Sequence, residues 1–129
     1  MKIAIVTDDG ESISAHFGRA RSYAVVTVEN GVVVGRELRP KSAPHGDGAI
    51  RDEADDGSHD SPAAHARHDV MIAPITDCSC LIARGMGRGA YDRITAAGIQ
   101  AVVTDLVDAD EAALECAAGR IVNLVDRLH

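Results

Sequence analysis

The sequence predicts an α/β domain built on a mixed sheet of about five strands with helices on both faces. Three observations carry this. Short runs rich in Val, Ile and Ala recur between turn residues, the mark of buried strands. Two of these runs, 22–28 and 32–38, are joined across Asn30-Gly31, the strongest short-range hairpin signal. The later runs alternate with helical segments, so they can lie parallel to the first strand through right-handed crossovers.

The elements follow in order. Lys2 to Thr7 is a β-branched run stopped by Asp8-Asp9-Gly10. Residues 11–21 form a polar loop of small residues, and the hairpin comes next. From Pro40 to about His68 the character changes: acids and four of the six His are frequent, and large apolar residues almost vanish. Such a stretch buries too little to offset its ordering entropy, so an insert at about 41–60 is expected to be mobile. Ser61-Pro62 then reads as an N-cap with Pro in the first turn, opening a short helix to about Arg67. Residues 70–75 read as a buried fourth strand despite Pro74. Residues 78–97 read as a turn of helix, a glycine-rich loop and a helix ended by Gly98. Residues 99–104 form the fifth strand. Asp108 followed by Glu111 resembles a capping box, opening a helix that Gly119 ends. Residues 121–128 are apolar-periodic without a clear type.

Composition narrows the functions. At 129 residues the chain is expected to be one domain with one core. Thirteen Lys and Arg against twenty Asp and Glu leave a net charge of −7, which argues against a sequence-independent grip on nucleic acid. Only Phe17, Tyr23 and Tyr91 are aromatic, so no base-stacking platform is expected. No apolar stretch reaches the ~20 residues that cross a bilayer, and the N-terminal run is too short for a signal peptide. Three Cys make a disulfide framework unlikely to be the organising device, and reduced thiols in a cytoplasmic setting are the expectation.

In open α/β sheets, ligands gather outside the carboxyl ends of parallel strands. Segment 8–19, segment 77–90 and segment 104–108 are therefore the places to look. In the first, His16 sits beside Phe17, Gly18 and Arg19. It suits a soft-metal ligand or proton carrier, and equally a histidine that hydrogen-bonds its own loop. In the second, Gly85, Met86, Gly87, Arg88 and Gly89 precede a helix. Small residues there let backbone N–H groups approach an anion, although a tight packing turn would also use them. The spacing is not that of a dinucleotide fingerprint. Cys78 and Cys80 have the spacing to share one soft metal or join a cluster; the alternative is two semi-buried thiols. Cys116 lies among small apolar residues and reads as core. His45, His59, His65 and His68 form a tract that could take up metal, with or without functional meaning.

The segments MKIAIVTDDG, SAHFGRA, GMGRGAYDRITAAGI and DEAALECAAGR together resemble the dinitrogenase iron–molybdenum cofactor biosynthesis family, which includes NifX-type carriers and the C-terminal part of NifB. The likeness covers about residues 1–40 and 69–120. It implies a ribonuclease-H-like fold with strand order 3-2-1-4-5. It also implies binding of an iron–sulfur or iron–molybdenum type cluster, as carrier or store and not as an enzyme, with cluster-assembly proteins as partners. His16 falls on the family's His-Phe-Gly position and Gly85, Gly87 and Gly89 on its glycine loop; Cys78 and Cys80 lie outside the shared pattern.

The expected site therefore combines His16, Cys78 and Cys80 as metal ligands with Phe17, Gly18, Arg19, Gly85, Met86, Gly87, Arg88 and Gly89 around the cluster. Arg19, Arg84 or Arg88 would offset its charge. Two other classes stay open. One is a metal-dependent nuclease or phosphoryl-transfer enzyme using Asp8, Asp9 and Asp77 or Asp105. The other is a regulatory domain sensing metal or redox state through Cys78 and Cys80.

Overall fold

The computed structural model describes residues 1–41 and 71–128. The expected mobility over 42–60, the helix from Ser61 and the His tract all lie outside the described residues. Five strands form one sheet in the order β3-β2-β1-β4-β5: β1 Lys2–Thr7, β2 Ser22–Glu29, β3 Val32–Pro40, β4 Cys80–Ala83 and β5 Gln100–Val103. Two helices follow the later strands, α1 Arg88–Ala96 and α2 Ala109–Ala117. The α/β class, the mixed sheet and its order agree with expectation.

The hairpin forms as its turn residues dictate. Asn30 (φ 53°) and Gly31 (φ 79°) are both left-handed, as a tight two-residue hairpin turn requires. β2 and β3 then pair antiparallel from Glu29↔Val32 to Ser22↔Pro40, with one irregularity at Thr27/Val28. β1 pairs antiparallel with β2 and parallel with β4, and β4 parallel with β5.

Residues 71–75, part of the expected fourth strand, are not a strand. The described part is helical and ends in a 3-10 turn, Ala73–Ile75. Pro74 explains the difference, since it cannot donate to a central ladder but fits the first turn of a helix. The fourth strand is the next apolar run, the fully buried Cys80–Ala83. A four-residue strand covered on both faces has no alternation to reveal it.

The core lies on both sides of this sheet. Ile3 and Ile5 of β1 share a face with Ala24 and Val26 of β2, and by register with Cys80 and Ile82 of β4. α2 covers that face with Ala109, Ala112, Ala113 and Cys116. Tyr23 is on the other face, where its hydroxyl donates to the Met71 carbonyl at 2.6 Å. The sheet edges differ. Along β5, the Asn123 side chain accepts from Val103 N–H (2.9 Å) and donates to the Ala101 carbonyl (3.1 Å), and Leu124 N–H donates to the Val103 carbonyl. Along β3, exposed Val32, Val34 and Leu38 are interspersed with Arg36 and Arg39. No helix among the described residues is long and apolar enough to cross a membrane.

Candidate functional site

Parallel pairing of β1 with β4 sends the loops after both strands out of one edge of the sheet. They touch there. Phe17 N–H donates to the Gly85 carbonyl at 2.8 Å, and Arg84 N–H donates to the Ser14 carbonyl at 3.2 Å. Gly85 permits the approach: a Cβ there would sit 2.6 Å from the Ala15 carbonyl oxygen.

The first loop is held from below. Buried Thr7 donates through its hydroxyl to the Ser12 carbonyl (2.7 Å) and accepts from Gly10 N–H (2.9 Å). The Asp9 carboxylate accepts from the backbone N–H groups of Ser12 and Glu11, each at 2.8 Å. Those bonds, the Ser12 ones first, hold its carboxyl well below the usual carboxylate range. Asp8 accepts from Arg21 N–H at 2.9 Å. Asp8 and Asp9, two of the four acids named for two-metal chemistry, therefore serve the loop, and among the described residues no group of three or more His, Cys, Asp or Glu is placed to hold a metal ion.

The third segment joins them. Ile13 N–H donates to the Val107 carbonyl, Ala109 N–H donates to the Glu11 carbonyl, and Ser12 and Asp108 form an isolated bridge. The loops after β1, β4 and β5 are thus one connected frame.

His16 is exposed on this frame. Its backbone carbonyl accepts from Arg19 and Ala20 N–H, and its N–H donates to the Ser14 hydroxyl. Its ring has no hydrogen bond among the described residues, so the backbone and not the imidazole pins the loop. Gly18 and Arg19 after it are exposed, as is Arg88 of the glycine loop. Phe17 and Met86, expected beside a ligand, instead turn into the core at 2% exposure each.

Gly87 is the N-cap of α1 at φ −81°, ψ 161°, and no side chain caps the helix. Its first turn carries no acidic residue, so the N–H groups of Arg88, Gly89 and Ala90 keep their partial positive charge. Arg84 Nε is buried without a hydrogen-bond partner among the described residues. An unpaired buried donor of this kind costs free energy until an acceptor arrives.

Cys78 and Cys80 do not belong to this cleft. Cys80 opens β4 and pairs in register with Ile3, so both thiols lie at the opposite end of the strand from the glycine loop. This follows from the strand beginning where a helical turn was expected. Burial and then the neighbouring Asp77 carboxylate push the Cys78 thiol up to about 11, away from the thiolate a metal needs. His16, Cys78 and Cys80 cannot ligate one ion.

Lys41, expected at the start of the mobile insert, is buried at 3% exposure. Its backbone N–H extends the hairpin ladder to the Arg21 carbonyl (3.1 Å), and Nζ donates to the carbonyls of Phe17 and Ala20. Nζ also stands 4.3 Å from the centre of the Phe17 ring. The signal was its place directly after the third strand, where the ladder continues by one residue.

The fold has several solved counterparts. The crystal structure of PH0822 superposes with a TM-score of 0.64 at 20% identity, covering 98% of each chain. The apo form of the orange protein from Desulfovibrio gigas gives 0.66 at 17% identity, covering 95% of this chain and 91% of its own. The dinitrogenase candidate MJ0327 from Methanocaldococcus jannaschii gives 0.62 at 14% identity, covering 96% and 94%. At these identities the likeness speaks for the fold alone. Among curated proteins no sequence matches. The family model described as dinitrogenase iron-molybdenum cofactor matches residues 1–119, spanning the whole frame of loops, and the chain belongs to that family.

Proposed function

We propose that this protein binds an anionic metallocluster of the iron–sulfur or iron–molybdenum type in the cleft between residues 14–19 and 84–89, and carries or stores it without changing it chemically. The observation that carries the reading is the docking of the His16 loop on the glycine loop through Phe17–Gly85 and Arg84–Ser14. The two docked loops carry the exposed His16, the start of a helix with no side-chain cap and the unpaired Arg84 Nε, which supports this reading. The family model supports the same cargo.

In this reading His16 gives the directional bond to a metal, while backbone N–H groups of α1 and the guanidinium groups of Arg19, Arg84 and Arg88 answer the cluster's charge. Cluster-assembly proteins are the partners that deliver and receive it, in the cytoplasm. We also assign the sheet to the ribonuclease-H-like class, which its strand order and antiparallel β1–β2–β3 half support.

The test is anaerobic addition of ferrous iron and sulfide to the full chain, followed by visible absorption and gel filtration. Absorption bands of a cluster should co-elute with the protein and be lost in His16→Ala. A colourless protein, under conditions that load a known cluster carrier, would overturn the reading.

A further inference from the structure

The sequence leaves Cys116 as a core residue, and the structure gives it a specific neighbour. Cys80 on β4 and Cys116 on α2 face each other across the core, their Sγ atoms 2.6 Å apart. The register explains the meeting. Cys80 points to the sheet face that α2 covers, and Cys116 continues the buried stripe of Ala109, Ala112 and Ala113. The small alanines let the helix approach closely enough for two sulfurs to come together.

We propose that Cys80 and Cys116 form a reversible dithiol–disulfide site, oxidised by a small-molecule disulfide. The separation exceeds an S–S bond of about 2.05 Å by only about half an ångström, a shift that side-chain rotation supplies. The Cys78 Sγ instead contacts the Asp77 carboxylate at 3.7 Å.

The exchange runs in two steps. The Cys116 thiolate attacks one sulfur of the oxidant, forming a mixed disulfide and releasing the first small thiolate. The Cys80 thiolate then attacks Cys116 Sγ, closing the protein disulfide and releasing the second. Two electrons pass from the cysteines to the oxidant, and their two protons end on the two small thiols. Cys116 is the entry point because Cys80 is fully buried while Cys116 keeps 7% exposure.

The bond would join the strand that feeds the glycine loop to the helix whose first residue is bonded to Glu11. Oxidation would therefore tighten the frame of the cleft, whatever the cleft binds.

The test uses cluster-free full-length protein incubated with oxidised glutathione, then alkylated, digested and mapped by mass spectrometry. A peptide pair joined through Cys80 and Cys116, reversed by dithiothreitol, is expected. The oxidised protein should melt roughly 10 °C or more above the reduced one, since the bond closes a long loop. Cys116→Ser should lose that shift and Cys78→Ser should keep it. Alkylation of both Cys80 and Cys116 after incubation, or a link through Cys78, would overturn the proposal. Mapping of the wild-type chain decides this even if a variant fails to fold, and metal binding plays no part in it.

Discussion

Gly85 lies against the Ala15 carbonyl so closely that even a methyl group would have to occupy space 2.6 Å from the oxygen. The obstacle is backbone, which cannot rotate away as a side chain can. Gly85→Ala should therefore separate the two loops or strain them, at a cost of about 1–3 kcal/mol. Thermal melts should show the loss, and cluster titration should show weaker binding. An unchanged melt with unchanged binding would mean that the loops do not need this contact.

His16→Ala should behave in the opposite way. The imidazole is exposed and has no hydrogen bond among the described residues, so its removal should change stability by under about half a kcal/mol. Cluster affinity should fall sharply because a directional metal bond is lost. Paired melts and titrations separate these effects, and retained affinity would remove His16 from the site.

Lys41 gives a pH signature. Burial pulls its ammonium down from 10.5 to about 8, against a smaller opposing pull from Asp8. Between those values the unfolded chain holds a proton that the folded chain has lost, so stability should rise with pH from about 8 to 10.5. The rise amounts to roughly 3 kcal/mol at most. Denaturant melts of wild type and Lys41→Met across this range check the sign, and the Lys41→Met curve should lack this rise.

Asp108 caps α2, its carboxylate accepting from Glu111 N–H at 2.8 Å. Asp108→Ala should cost about 1 kcal/mol in a chemical melt. Because α2 begins where Ala109 is bonded to Glu11, hydrogen exchange should quicken at Ala109 and Ile13 as well as in the helix.

What could be read in advance depended on whether a local signal was also the deciding one. Asn30-Gly31 specifies its own turn, and Asp108 with Glu111 its own helix start, so both appear as expected. The meeting of the His16 and glycine loops followed from strand order alone. The segment 71–83 was different, because two short apolar runs compete for one place beside β1. Packing, with Pro74 unable to serve a central ladder, decides between them. That choice moved Cys78 and Cys80 to the far end of the strand and brought Cys80 to Cys116. For Lys41, its place after the third strand signals the continued ladder, but the carbonyls and ring around its ammonium come from a loop distant in sequence.

The family match stops at residue 119, yet Asn123 and Leu124 beyond it occupy the open side of β5. This short tail takes up backbone groups that an edge strand would otherwise leave free. Remove it, and β5 presents free backbone donors and acceptors to any extended chain, including β5 of another molecule. On the opposite margin, among the described residues, β3 carries charged Arg36, Glu37 and Arg39 after its valines, and charged side chains on an edge strand disfavour pairing with another chain. Truncation before Asn123 should therefore leave the loops of the site intact and let two molecules pair through their β5 edges, which gel filtration would show as a dimer.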